Sequence, residues 1–143
     1  MVNADILVAK LAELGDRLGR ARAHCPATTD ELARNRDALD IVAFNLMLAV
    51  QSCLDVASHI IADEGWPPAT TLASAFVQLR DRGVLNHETA EALGRAAGLR
   101  NVVAHGYAGI DVEKVHAAAT LGLRDLEAFR AEVARWVQAQ TRV

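Results

Sequence analysis

At 143 residues the chain has the length of one domain, 1–143, able to bury a core without disulfides or metals. Hydrophobic residues make up 52% of it and aromatics only 4%, with Ala and Leu dominant, which favours helices over a sheet. The net charge of −3 argues against a broad nucleic-acid surface, although thirteen Arg against two Lys leave room for local phosphate contacts.

Leu7, Leu11, Leu14, Leu18 and Ala21 alternate steps of four and three and predict a first amphipathic helix over about residues 3–23. His24-Cys25-Pro26 ends it, because proline lacks a donor and restricts the residue before it. Thr29 or Asp30 can cap a long second helix that runs to about Glu64 and stops at Gly65-Trp66-Pro67-Pro68. Ile41–Ile61 is long enough to raise a membrane span, but Asn45, Gln51, Asp55 and His59 interrupt it, so a buried bundle helix is expected and no membrane contact.

Thr70 or Thr71 opens a short third helix through Leu79, closed near Gly83. Asn86 caps a fourth, which carries Ala90, Leu93, Ala97 and Arg100 toward Gly106. Asp111 caps a fifth with an apolar stripe from Val112 through Val115, Ala119, Leu123, Leu126, Phe129 and Val133 to Val137, in which Gly122 is a soft spot. The expected architecture is all-α, an up-and-down bundle of about five helices. Cys25 and Cys53 have no metal-ligand or triad spacing, and no charged segment leads into an apolar one at the start. Reduced thiols in a cytoplasmic protein without cofactor or metal are expected.

Chemistry concentrates in Arg100-Asn101-Val102-Val103-Ala104-His105-Gly106-Tyr107. A permanent cation, a proton shuttle near neutrality and a phenol stand within eight residues. Five residues advance an ideal helix by roughly 500°, so Arg100 and His105 do not share a face of one straight helix. A loosened helix end brings them together, and so does a symmetric dimer whose site holds two arginines and two histidines. Such a group suits RNA cleavage without metal. Histidine takes the 2′-hydroxyl proton or protonates the leaving 5′-oxygen, and arginine stabilises the phosphorane-like transition state. The alternative is an Arg and a His that only complement a helix C-terminus.

Gln51, Asp55 and His59 stand four apart and share a helix face. They either line the cleft, with Asp55 orienting a histidine or holding Arg100, or form a self-satisfied Asp55–His59 surface pair. His24, His87 and His116 sit near helix ends as capping or solvated groups. The arginines at 17, 20, 22, 34 and 36 interleave with acids and read as a solvated face.

Arg100-x4-His105-x-Tyr107 resembles the signature of HEPN-domain ribonucleases of the HepT type, the toxin half of MntA–HepT modules. Leu54-Asp55-Val56-Ala57-Ser58-His59-Ile60-Ile61 with Gly65 and Pro67 is similar to a run on that family's second helix. Ala75-Phe76-x2-Leu79, Gly83-Val84-Leu85, Gly98-Leu99-Arg100-Asn101 and Ile110-Asp111-x3-Val115 extend the likeness over about residues 30–135. Gln51 stands where members often carry Glu, and Ala104 where they carry a larger aliphatic.

The resemblance implies a helical homodimer with facing RxxxxH motifs, an endoribonuclease toxin that cuts RNA without metal. On it Arg100 and His105 are catalytic, Asn101 is auxiliary, and Tyr107 receives AMP from a partner nucleotidyltransferase antitoxin; Asp55 and His59 join as auxiliary candidates from their shared helix face. AMP there sets bulk and negative charge two residues from His105 and repels RNA phosphates. A different class is a non-catalytic substrate-binding subunit of a nucleotidyltransferase, which the intact Arg/His pair disfavours. A third is a helical scaffold.

Overall fold

The structure is a computed structural model that describes residues 2–104 and 109–141; the side chains of 100–104 lie outside the description. The Leu7-to-Ala21 row is buried along α1 (Ala4–His24), whose first turn is capped by Asn3, with Oδ1 accepting the Ile6 N–H at 3.3 Å.

The expected long second helix is two helices. α2 (Thr29–Arg34) is capped by Thr28, not by Thr29 or Asp30. α3 (Arg36–Asp63) restarts at Asn35, an extended residue at φ −116°, ψ 92° whose side chain accepts the Ala38 N–H at 3.0 Å. Asn supplies its own replacement for a helical carbonyl, so one residue ends one helix and caps the next. α3 stops at Gly65, which takes a positive φ of 70° that suits glycine.

α4 (Leu72–Asp81) opens with a reciprocal Thr71–Ser74 capping box and closes at Gly83, φ 80°. α5 (His87–Ala104) carries the start of the octet. The expected fifth helix also divides, into α6 (Val112–Thr120), capped by Asp111, and α7 (Leu123–Thr141). Gly122 marks the join: a Cβ there would stand 2.8 Å from the Ala118 backbone, so the chain turns tightly where only glycine fits.

The described residues thus form seven helices and no strand. α3 is the hub, packing on α1, α4, α5, α6 and α7. By length and composition α3 could cross a membrane, but it serves as the core of this bundle. Leu46, Val50, Val56 and Ile60 are fully buried within it, and buried Asn45 is satisfied by the Ile41 carbonyl at 2.8 Å and the Arg17 guanidinium at 3.3 Å. Phe76 and Phe129 meet edge to face at 5.9 Å between α4 and α7.

Candidate active site

Arg100 and Asn101 lie in the last described turn and a half of α5 by backbone; their side chains, and His105 and Tyr107 entirely, lie outside the described residues. What the structure defines is the helix whose last described turns hold Arg100 and Asn101. Ala90, Leu93 and Ala97 bury one side of α5. Its small residues allow close packing: a Cβ on Gly94 would lie 3.9 Å from that of Ala73 in α4.

The other end of α5 is fixed from α7. Asn86 Oδ1 accepts the Thr89 N–H at 2.7 Å, and the Asn86 N–H donates to Glu132 Oε1 at 2.7 Å. The Thr89 hydroxyl donates to the second Glu132 oxygen. Glu132 is buried, so its carboxylate stays in the core only because both oxygens are paired, and it also favours the positive end of the helix dipole. In the sequence Glu132 is marked only as an acid beside an apolar stripe.

Toward the last described turns of α5, Leu46 and Val50 of α3, Ala96, Gly98 and Leu99 of α5, and Leu121 line an open groove of about 670 Å³. Arg95 and Lys114 stand on the same groove, with Asp125 opposite in charge. Neither cation was singled out from the sequence. Both are cations of the kind that can contact a phosphate.

The α3 triad separates into two contacts. Gln51 Nε2 donates to Asp55 Oδ1 at 2.9 Å, and Asp55 is exposed. His59 Nε2 lies instead 3.1 Å from Asp63 Oδ2, at ion-pair distance without hydrogen-bond alignment, and the same oxygen accepts the Asn3 N–H at 3.0 Å. The expected Asp55–His59 surface pair is therefore not formed. One turn further along the same face, Asp63 offers His59 a partner that also anchors the start of α1.

Among the other histidines, His116 Nε2 sits 3.0 Å from the Pro26 carbonyl and ties α6 to the α1–α2 connection. Trp66 meets Trp136 at a 60° tilt with ring centroids 6.3 Å apart, and the Arg82 guanidinium lies 5.0 Å above the Trp66 ring, a packing anchor beside Pro67 and Pro68. No His/Cys/Asp/Glu group among the described residues could hold a metal.

Comparison with known proteins places this geometry. The family model described as ribonuclease HepT-like matches residues 14–133. An mRNA nuclease HepT from Shewanella oneidensis is 26% identical over 90 residues, covering 63% of this chain and 68% of that protein. A tRNA nuclease HepT from Aphanizomenon flos-aquae is 30% identical over 79 residues, covering 55% of this chain and 54% of its own. Among solved structures, a tri-AMPylated Shewanella oneidensis HEPN toxin in complex with MNT antitoxin superposes with a TM-score of 0.83 at 21% identity, over 92% of this chain and 98% of that one. YutE from Bacillus subtilis, a cytosolic protein of unknown function, gives 0.84 at 12% identity over 97% and 93%. The chain belongs to the HepT-like family of ribonucleases.

Proposed function

We propose that the protein is the endoribonuclease toxin of a toxin–antitoxin pair, cutting RNA without a metal at a site shared by two copies of the chain. The observation that carries this reading is the family match over residues 14–133, within which Arg100 and His105 keep their five-residue spacing. Arg100 stabilises charge on the phosphate in the transition state, and His105 moves the proton, as base in one copy and as acid in the other.

Asn101 is the auxiliary polar group of the site. Asp55 and His59, engaged with Gln51 and Asp63, enter as supports of α3 rather than as groups on the RNA. The partner is a nucleotidyltransferase antitoxin that transfers AMP to Tyr107; a solved relative is an AMPylated toxin bound to its antitoxin. The protein acts in the cytoplasm. One relative is an mRNA nuclease and another a tRNA nuclease, so RNA is the substrate class.

Expression of the chain alone tests the proposal: it arrests growth, and Arg100→Ala or His105→Ala relieves the arrest. Unimpaired growth with well-folded wild-type protein would count against it and favour a non-catalytic subunit.

A further inference from the structure

Between α3, α5, α6 and the start of α7 the chain leaves the groove of about 670 Å³. Its floor is apolar, with Leu46 and Val50 of α3 and Leu126 of α7 buried beneath it. Small side chains keep it open: Ala92 and Ala96 on α5, Ala117 and Ala118 on α6. The volume falls within the roughly 300–1,000 Å³ of small-ligand sites. A stable protein partner instead covers a face of about 800 Å².

Three charged side chains rim the groove: Arg95 on α5, Lys114 on α6 and Asp125 in the first turn of α7. All three are exposed, and among the described residues none of them forms an ion pair. Unpaired charges of both signs around an apolar hollow call for a ligand with an apolar body, anionic groups at one edge and N–H donors at another. An aliphatic acid answers the cations but offers Asp125 nothing. A nucleotide answers all three, through its base, its phosphates and the donors on the base edge.

The base can be narrowed. A carboxylate only accepts, through two oxygens. The Watson–Crick edge of guanine carries two adjacent donors, N1–H and N2–H, and meets both oxygens much as a guanidinium does. Adenine and cytosine set one donor beside an acceptor. Uracil sets its single N–H between two carbonyls, which a carboxylate repels.

The place of the groove is the second observation. Ala96, Gly98 and Leu99 line it from the turn of α5 that runs directly into Arg100, and position 100 stands one turn, about 6 Å, beyond Ala96.

We infer that this groove holds an unpaired guanine of the RNA beside the phosphodiester that is cut, with Asp125 reading its Watson–Crick edge and Arg95 and Lys114 holding the adjoining phosphates. This rests on the ribonuclease reading above and gives it a sequence preference. Single-stranded RNA is commonly read this way, by bases splayed into pockets and bonded along their edges.

The probes that test it are short 2′-O-methyl oligoribonucleotides, one of uridines alone and one with a single central guanosine. Lacking a free 2′-hydroxyl, they bind without being cut. Affinity for the full chain is read by fluorescence anisotropy at fixed salt, with circular dichroism to confirm folding. Wild type binds the guanosine probe about tenfold or more tighter than the uridine probe. Asp125→Asn brings the two within about threefold, an effect that a role confined to the start of α7 would not produce. Arg95→Ala or Lys114→Ala weakens both probes alike, about three- to tenfold, and flattens the salt dependence, while Arg95→Lys keeps most of the affinity. Equal binding of the two probes by wild type overturns the inference, as does undiminished discrimination in Asp125→Asn or unchanged affinity in both alanine variants. Variants that bind RNA as wild type does but lose the nucleotidyltransferase assign the groove to that protein and also overturn it. The ribonuclease reading stands or falls separately, on cleavage by the Arg100 and His105 variants.

Discussion

Glu132 of α7 accepts the backbone N–H of Asn86 at 2.7 Å across 46 residues of sequence, tying the start of the helix that bears Arg100 to the C-terminal helix. Glu132→Ala strips partners from the part-buried Asn86 N–H and from the buried Thr89 hydroxyl. The expected loss is about 1–3 kcal/mol of stability in a denaturant melt. Hydrogen exchange quickens first in the opening turn of α5. Unchanged protection at residues 87–90 would show that Asn86 alone suffices as the cap.

Arg130 crosses from α7 to donate to the Leu11 carbonyl at 2.9 Å, and it does so over Gly15, where a Cβ would lie 2.8 Å from the guanidinium. Gly15→Ala gains about 1 kcal/mol of helix propensity but displaces the arginine. In wild type the two effects nearly cancel. In an Arg130→Ala background the same substitution stabilises by about 1 kcal/mol, and a double-mutant cycle measures the difference.

Burial raises the Cys53 thiol well above its ordinary value of 9.0, and partial burial raises Cys25 less completely shielded in the α1–α2 connection. The folded chain keeps Cys53 protonated where the unfolded chain would ionise. Its contribution is therefore fully present below pH 9 and is lost as pH rises above that value, by about 1.4 kcal/mol per pH unit. Thermal melts between pH 8 and 10 show the decline, and Cys53→Ala flattens it. Maleimide labelling at pH 7 reaches Cys25 before Cys53.

Tyr107→Phe removes the phenol proposed to take AMP and leaves Arg100 and His105 in place. Co-expressed with the partner nucleotidyltransferase, this variant arrests growth where wild type does not. Mass spectrometry finds AMP on wild-type Tyr107. An adduct confined to another residue reassigns the switch.

Much of the fold is legible in the sequence because helices announce themselves locally. The Leu7–Ala21 and Leu123–Val137 rows are buried as their spacing requires, and Asn86, Asp111 and Thr71 cap the helices they precede. Both missed breaks fall where the apolar rhythm continues through the join. Leu32 and Ala38 are buried on either side of Asn35, and Ala119 and Leu123 on either side of Gly122, so periodicity alone runs straight across. The pairings that needed tertiary structure were Glu132 with Asn86, Arg130 with Leu11, and His59 with Asp63 in preference to Asp55. The first two join residues far apart in sequence, and the third was a choice between two carboxylates at equal spacing. The octet was legible for the opposite reason: its chemistry is packed into consecutive positions.

Cleavage of a defined RNA by the purified wild-type, Arg100→Ala and His105→Ala proteins, in the presence of a chelator, tests the central claim most directly. Wild type cuts under these conditions, and each variant remains folded and dimeric while its rate falls by about 10²-fold or more. Variants that cut at the wild-type rate, or a wild-type activity abolished by the chelator, would contradict a metal-free site built on Arg100 and His105.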